Sequence, residues 1–361
     1  ITMESVCNHR MDPATASLSP DSVASVSLVR GPYSVRNGPA VAGAVELDRD
    51  ATGWRMPGFR ARGVVTAGSF ERIDRAGTAS IANERFALEL SADGARQDDY
   101  RAGGAGTRVF SHYRRYSEGA RLAWALRPDV RLEVEHHRSD GEAAFASFHM
   151  DATRLDTGQT VLRLVSDAKL GWITRLRASV SDRAIDHAMD DYSMRPSVPR
   201  ITTTATRIRT QTTLLDMIQA QHGRVARAEV RLEPSASTRL DFGFEHRNDR
   251  FDAYNRSAAT QCLTIRATGA TSCVDFGSTA WSFYDLAWVR DGVWMEARHV
   301  AGDVLLTAGV RRDIQETRAG ALFDFNGTIA QPGAGTTRRE RVDNGFARME
   351  WSVAPTLTLH G

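Results

Sequence analysis

The sequence is poor in the features that mark several common protein classes. Its 361 residues include only three cysteines, too few for a small scaffold held together by disulfides. No stretch approaches the roughly 18 consecutive apolar residues that a membrane-spanning helix needs. Lysine occurs once, at Lys169, so almost all of the 46 basic side chains are arginine. An average charged fraction of 25% also excludes an intrinsically disordered chain.

Charge balance and missing motifs exclude two kinds of function. The 46 basic and 44 acidic side chains leave a formal net charge of +2, whereas a nucleic-acid-binding domain is expected to be strongly basic. The sequence has no Gly-x-Ser-x-Gly, no His-Glu-x-x-His, no phosphate-binding glycine loop and no Cys-x-x-Cys. We therefore predict neither an enzyme nor a nucleic-acid partner.

What the sequence does contain, from about residue 58 onwards, is strict alternation of apolar and polar residues. In the run 120–126 one face carries Leu122, Trp124 and Leu126, and after a proline-containing turn at 127–129 the pattern resumes. The same unit recurs around the turns at 235–237 and 354–356. A period of two is typical of β-strands with two different faces. The chain is therefore predicted to be all-β, with about a dozen strands.

The connections between these strands are short at one end and long at the other. Long polar stretches such as 184–205 and 252–279 separate the units with tight turns. This layout is typical of a transmembrane antiparallel β-barrel of the outer membrane, whereas a large soluble β-protein, the alternative, would have short loops at both ends. The alternation continues to the last residue, so we expect an incomplete barrel that belongs to a longer protein.

The cysteines fall into two different settings. Cys262 and Cys273 lie in a Thr-rich polar region, where a loop disulfide is expected in an oxidising compartment. Cys7 is left without a disulfide partner, and an odd cysteine in an exported protein requires another explanation.

Residues 1–50 do not alternate, and they resemble a known family. Val26–Pro39 contains Arg-Gly-Pro with a second glycine at Gly38, and a Gly-Ala-Val strand follows at Gly43. This ordered set resembles the end of the plug domain of TonB-dependent outer-membrane receptors. The resemblance implies that residues 1–50 are the C-terminal part of a plug and 51–361 the N-terminal part of the barrel. It also implies outer-membrane lipid around the barrel in a Gram-negative bacterium, and the TonB complex as energy-coupling partner, with its contact segment outside this chain.

A narrower resemblance points to copper. Cys7-Asn8-His9-Arg10-Met11-Asp12-Pro13 is similar to a Cys-x-x-x-Met-Asp-Pro segment of the TonB-dependent copper receptors, and Arg36–Pro39 also resembles that branch. Thiolate and thioether are soft ligands that select Cu(I). The family implies a Cys-Met-Met-Met site completed by two barrel methionines. On this chain the four ligands would be Cys7, Met11, Met150 and Met189.

Other histidines and methionines are weaker candidates than these four. His9, His149 and His187 are adjacent to proposed ligands and are expected to lie next to the copper site rather than in it, although imidazole could bind Cu(II). Met194 would replace Met189 if that assignment failed, whereas Met3 and Met217 lack a comparable setting. Without the family resemblance, Cys7 and Met11 would be interpreted as core-packing residues.

Two alternative functions also agree with the sequence. The cargo could be a siderophore, haem or another metal chelate, attracted by arginines expected in the lumen, such as Arg227, Arg231 and Arg239. The chain could also belong to an outer-membrane adhesin or pore without energised transport. The function predicted first is a receptor that binds copper between plug and barrel and imports it with energy supplied through TonB.

Overall fold

The protein forms β-strands throughout the part of the chain that is described. A computed structural model describes residues 25–31, 33–38, 43–48, 55–104, 106–146, 150–323, 329–332, 335–354 and 357–360. Within these residues no helix is long and apolar enough to cross a membrane. The strands are β1 Ser25–Arg30, β2 Gly43–Asp48, β3 Gly58–Ala67, β4 Ile73–Ala82, β5 Phe86–Gln97, β6 Tyr100–Arg101, β7 Arg108–Val109, β8 Tyr113–Arg127, β9 Val130–Ala143, β10 Asp151–Ser166, β11 Ile173–Asp190, β12 Arg200–Thr203, β13 Arg207–Ser235, β14 Thr238–Ile265, β15 Thr271–Ala301, β16 Val304–Arg318, β17 Ala321–Phe323, β18 Ile329–Pro332, β19 Thr337–Ala354 and β20 Leu357–His360.

One large antiparallel sheet follows the order of the chain. Its strands pair as β3-β4-β5-β8-β9-β10-β11-β13-β14-β15-β16-β19-β20, and β12 adds to β13. Strands β3 and β20 are its two ends, and they do not pair with each other within the described residues. Strands β1 and β2 form a separate hairpin, as do β6 with β7 and β17 with β18. The all-β, sequentially wound antiparallel architecture predicted from alternation is confirmed.

The short connections lie where the sequence predicted them. Strand β8 ends at Arg127 and β9 begins at Val130, with Pro128 between them. Proline fixes φ near −65° and has no N–H to donate, so it suits a turn and not a central strand. The connections between β13 and β14 and between β19 and β20 are equally short.

Both predicted loops contain paired strand, and in the first of them residues 184–190 belong to β11 and 200–203 form β12. Residues 252–279 continue β14 to Ile265 and begin β15 at Thr271, so only a tight turn separates the two strands. The polar composition led to the wrong prediction, because Thr and Ser side chains also occur on paired strands. There they hydrogen-bond to each other across the ladder, as Ser257 does with Ser278. Cys262 and Cys273 are direct cross-strand partners near the tip and form a disulfide, with their Cα atoms 4.1 Å apart.

The sheet has two chemically different faces. The outer face carries large apolar side chains that are exposed, among them Leu122, Val180, Phe244, Val293 and Val310. The inner face is the one that contacts residues 33–38, and it carries buried charged groups such as Glu245, Asp249, Arg311 and Asp313. Directly opposed residues of paired strands share a face, so the register shows on which face of the sheet each strand residue lies.

The disulfide is expected to stabilise the tip of the β14–β15 hairpin and not the sheet. The double variant Cys262→Ser, Cys273→Ser removes a link that closes an 11-residue separation, which is worth at most about 3 kcal/mol in chain entropy. Amide hydrogen exchange should therefore rise for residues near the tip and stay unchanged near Glu245. Uniformly faster exchange along both strands would contradict a local role.

Candidate functional site

A short segment from the first part of the chain, residues 33–38, lies against the inner face and is called the docking segment below. Arg36 is its main charged contact: Nε donates to Glu296 Oε2 at 2.8 Å and Nη2 to Asp241 Oδ2 at 2.5 Å. Its guanidinium also lies over the ring of Trp294, 5.1 Å from the centroid. One arginine thus joins the segment to strands β14 and β15.

The backbone of the docking segment is held as well. Glu296 Oε1 accepts from Ser34 Oγ at 2.8 Å and from Val35 N at 2.9 Å, so a single carboxylate binds three consecutive residues. In return, Arg311 Nη1 donates to the carbonyl oxygens of Val35 and Arg36, both at 3.3 Å. These contacts fix main-chain atoms, which makes the docking geometry specific rather than a loose charge attraction.

The inner face has room for this arrangement because a glycine replaces a side chain beside Trp294. A Cβ placed on Gly243 would lie 2.1 Å from the indole ring, far inside van der Waals contact. Gly243 is the cross-strand partner of Trp294, so its missing side chain lets the indole lie flat on β14. The ring can then stack under Arg36.

The arginines that the sequence offered as anion attractors are all paired with carboxylates. Arg227 bonds to Glu245 at 2.6 Å, and Arg231 and Arg239 contact Asp241 at 2.7 Å and 3.0 Å. Glu245 is buried and also accepts from Arg290 at 2.6 Å. Each of the three arginines is therefore paired with a carboxylate, and Arg231 and Arg239 share Asp241 with Arg36.

A second feature of the inner face is a buried cluster of three methionines, called the methionine cluster. Met189 and Met217 are almost fully buried and are direct cross-strand partners on β11 and β13. Met150, which immediately precedes β10, is partly buried and packs against the cluster that these two form with Ala152. Ala152, Phe145 and Leu155 complete the apolar surroundings. The structure therefore brings together the two methionines that the sequence placed in one site, and adds Met217.

Asp151, the residue after Met150, takes part in a buried ion pair. Asp151 is fully buried; its Oδ2 accepts from Arg195 Nε at 2.7 Å, and its Oδ1 accepts from the Phe145 backbone N at 2.9 Å. Arg195 Nη2 also donates to the Phe145 carbonyl oxygen at 3.0 Å. Arg195 thus links Phe145 to Asp151 beside the methionine cluster.

The loop after Met189 is also fixed by side chains. Asp190 accepts hydrogen bonds from the backbone N–H groups of Tyr192 and Ser193. The Tyr192 hydroxyl donates to Asp216 at 2.6 Å, and this hydrogen bond raises the pKa of Tyr192 to about 12. The phenol therefore keeps its proton, and the loop its anchor, well above neutral pH.

The other predicted site residues divide into two groups. His187 is buried one inward position from Met189 and is the cross-strand partner of Gln219, so it lies beside the methionine cluster. Cys7, Met11, His9 and His149 lie outside the described residues.

Three residues near the methionines were missed by the sequence prediction. Met217 was set aside because its own neighbours in sequence are unremarkable, yet the β11–β13 register places it opposite Met189. Gln219 donates from Nε2 to the Met217 sulfur at 3.0 Å, and Arg195 acts through Asp151. The one local signal was the alternation Met217-x-Gln219-x-Gln221 on a strand.

Comparison with solved structures identifies the fold. The structure of the copper transporter OprC matches 99% of this chain with a TM-score of 0.83 and 22% sequence identity. The fold is that of the TonB-dependent outer-membrane receptors. The siderophore receptor PiuA from Acinetobacter baumannii matches 92% of the chain at 12% identity with a TM-score of 0.58. The ferric yersiniabactin uptake receptor FyuA from Yersinia pestis matches 94% at 13% identity with a TM-score of 0.59.

The chain spans about half the length of these structures, namely 52% of OprC, 52% of PiuA and 51% of FyuA. No protein-family profile and no curated protein sequence matches it. Receptors with this fold are named for different cargoes, so the cargo of this chain has to be argued from its side chains.

The docking contacts yield a first prediction for this site. Glu296→Ala removes the carboxylate that binds Ser34, Val35 and Arg36. A hydrogen bond to a charged group contributes about 1.5–3 kcal/mol, so exchange of the Val35 amide should accelerate at least about tenfold. Glu316→Ala, on the exposed outer face of the adjacent strand β16, is the matched control. Equal exchange in both variants would show that the docking segment is held by other contacts.

The second prediction concerns Arg195. Arg195→Gln leaves the buried Asp151 without its guanidinium partner, and breaking such a pair costs about 3–5 kcal/mol. We expect faster exchange of the Phe145 amide and an altered methyl resonance of Met150. Adding Asp151→Asn removes the stranded charge and should recover part of the stability, whereas the control Arg200→Gln, on the exposed strand β12, should change nothing. Purely additive effects of the two changes would contradict the coupling.

Proposed function

We propose that this chain is part of a TonB-dependent outer-membrane receptor that binds copper, as Cu(I), and imports it. Residues 1–50 would be the C-terminal part of the plug and 51–361 the N-terminal part of the barrel. The protein would lie in the outer membrane of a Gram-negative bacterium, with lipid against the apolar outer face. The TonB complex would supply the energy that remodels the plug.

The observation that carries the proposal is the meeting of Met150 and Met189 in one buried cluster. The two residues are far apart in sequence, and both belong to the ligand set that the resemblance to copper receptors implies. The structure of the copper transporter OprC, whose fold matches nearly the whole chain, also supports the proposal. Neither Cys7 nor Met11 is described structurally, so their role rests on the sequence motif alone.

The chemistry of the four residues suits Cu(I). Thioethers are soft and uncharged, so they bind soft monovalent copper without competing protons. A thiolate from Cys7 would neutralise the single positive charge, and its binding would release the thiol proton. No group of three or more His, Cys, Asp or Glu side chains that could hold a metal ion occurs in the described part of the chain.

The chelate alternative receives less support from these arginines than the sequence suggested. Arg227, Arg231 and Arg239 were the candidates for attracting an anionic siderophore or haem, and each contacts Glu245 or Asp241. An anion would therefore compete with these carboxylates for the same guanidinium groups.

The test is copper stoichiometry on the intact protein, purified in detergent and loaded with Cu(I) under anaerobic conditions. We expect about one tightly bound copper per chain, because four soft ligands complete one site. Cys7→Ala with Met11→Ala, and separately Met150→Leu with Met189→Leu, should each abolish tight binding. Met295→Leu with Met349→Leu is the matched control, since both methionines are exposed on the outer face.

Three results would contradict the proposal. Absence of copper from the wild-type protein would remove the copper site. Equal copper in the Cys7/Met11 variant and the wild type would reduce those residues to packing. Copper uptake by cells that persists without TonB would remove the energised step and favour a passive pore.

A further inference from the structure

We propose that the outer face of strands β15, β16 and β19 binds a phosphorylated glycolipid of the outer leaflet, the class of lipid to which lipid A belongs. Arg312 and Arg341 would hold a phosphate group, and an apolar groove nearer the short turns would take an acyl chain. The inference rests on the proposed function only in placing the apolar outer face in the outer membrane, and it does not depend on the copper site.

These arginines lie at one boundary of the apolar outer face. On β16 four outward apolar residues precede Arg312, namely Val304, Leu306, Ala308 and Val310. The extended strand from Val304 to Arg312 is about 27 Å long, and the tilt of a barrel strand reduces this to roughly 20 Å of height. Such barrels present an apolar band of about 25 Å to lipid and have their short turns at the periplasmic end. Arg312 therefore lies at the level of the outer-leaflet headgroups.

Two arginines share one carboxylate at this boundary. Asp343 is the cross-strand partner of Arg312 and accepts from its Nε at 2.7 Å, and it also accepts from Arg341 Nε at 2.9 Å. The group of three side chains therefore keeps a net charge of +1, and each of the three is about half exposed. A guanidinium has five N–H donors in a planar fork, which suits the oxygens of a phosphate.

A shallow apolar groove of about 470 Å³ lies on the same face, nearer the short turns. Three alanines line it, Ala297, Ala308 and Ala347, and they are successive cross-strand neighbours on β15, β16 and β19. Their small side chains lower the surface beside the larger Leu306 and Met349. The groove is about 14 Å along β16 from the arginine group. One lipid can therefore place its phosphate on the arginines and an acyl chain in the groove.

The opposite boundary of the same two strands has different chemistry. There Trp351 is the cross-strand partner of Val304 and is 44% exposed. Aromatic rings of this kind lie at both interfaces of a typical barrel, where they contact headgroups of any charge. On β16 and β19 the far boundary carries the arginine group instead. This difference points to a partner with an anionic headgroup in one leaflet only.

The experiment measures binding of lipid A to the intact protein in detergent by native mass spectrometry. Arg312→Gln with Arg341→Gln should weaken binding at least about tenfold, because charged hydrogen bonds to the phosphate are lost. The matched control, Arg85→Gln with Arg127→Gln, removes the same charge from exposed residues beside the short turns and should leave binding unchanged. Asp343→Asn raises the charge of the group and should tighten binding, whereas a purely structural ion pair predicts no gain.

Two further comparisons separate the phosphate from the acyl chain. Lipid A stripped of its phosphates should bind the wild-type protein as weakly as lipid A binds the Arg312/Arg341 variant. Ala308→Phe fills the groove and should weaken binding of both lipids, whereas Ala79→Phe, exposed on the outer face of β4, should not. Inorganic phosphate that competed as effectively as lipid A would overturn the assignment to a lipid.

The outcomes for lipid and for copper can be told apart. Equal binding of the two lipids by the wild-type protein, or an equal loss in the Arg85/Arg127 control, would overturn this inference alone. Absence of copper from a wild-type protein that still binds lipid A would instead overturn the proposed function. Tighter binding by Asp343→Asn would support the inference even if the double arginine variant did not fold.

Discussion

The arrangement of side chains depends above all on the hydrogen-bond register of the long antiparallel strands. Strands β10, β11, β13, β14, β15 and β16 pair in that order, with only isolated register shifts. A shift by one residue would move every side chain of a strand to the opposite face. The opposition of Met189 to Met217 in the β11–β13 ladder, and of Gly243 to Trp294 in the β14–β15 ladder, therefore depends on the register of one sheet. Neither contact could be changed without disturbing the other strands.

The register also creates an electrostatic problem on the inner face. Glu245, Asp249 and Asp313 are buried there, and an isolated buried carboxylate would be too costly to retain. Arginine solves this because its planar guanidinium can contact two or more groups at once. Arg311 illustrates it: the same side chain contacts Asp313 at 2.7 Å and the carbonyl oxygens of the docking segment. The near absence of lysine from the sequence is consistent with this use of arginine. The composition alone does not explain why arginine lies at these positions.

The sequence predicted what depends on local pattern. Alternation gave the strands and their apolar face, the proline-containing turn at 127–129 gave a boundary, and the spacing of Cys262 and Cys273 gave a pair that the structure joins. It failed for residues 252–279, because a polar, Thr-rich run suits either a loop or a paired strand with both faces in water. Whether such a run forms a loop or a strand depends on a pairing partner that lies elsewhere in the sequence.

The same limit explains which site residues were missed. Met150 and Met189 were identified through a motif, but Met217 has no motif and becomes recognisable only when its cross-strand partner is known. Arg195 is likewise an ordinary arginine in a polar stretch until its bonds to Asp151 and Phe145 are seen. Residues that act through long-range pairing cannot be identified from their neighbours along the chain, since strand register is a property of the whole sheet.

The two features of the inner face are separated along one strand, and this separation has a mechanical consequence. On β13, Met217 belongs to the methionine cluster, and Arg231 shares Asp241 with Arg36 of the docking segment. Fourteen residues of extended strand between them correspond to roughly 45 Å. Breaking the Arg36 contacts to Asp241 and Glu296 would therefore leave the methionine cluster undisturbed. Under the proposed function, a force on the plug could withdraw Cys7 and Met11, while the methionine cluster keeps its geometry and can bind the next ion.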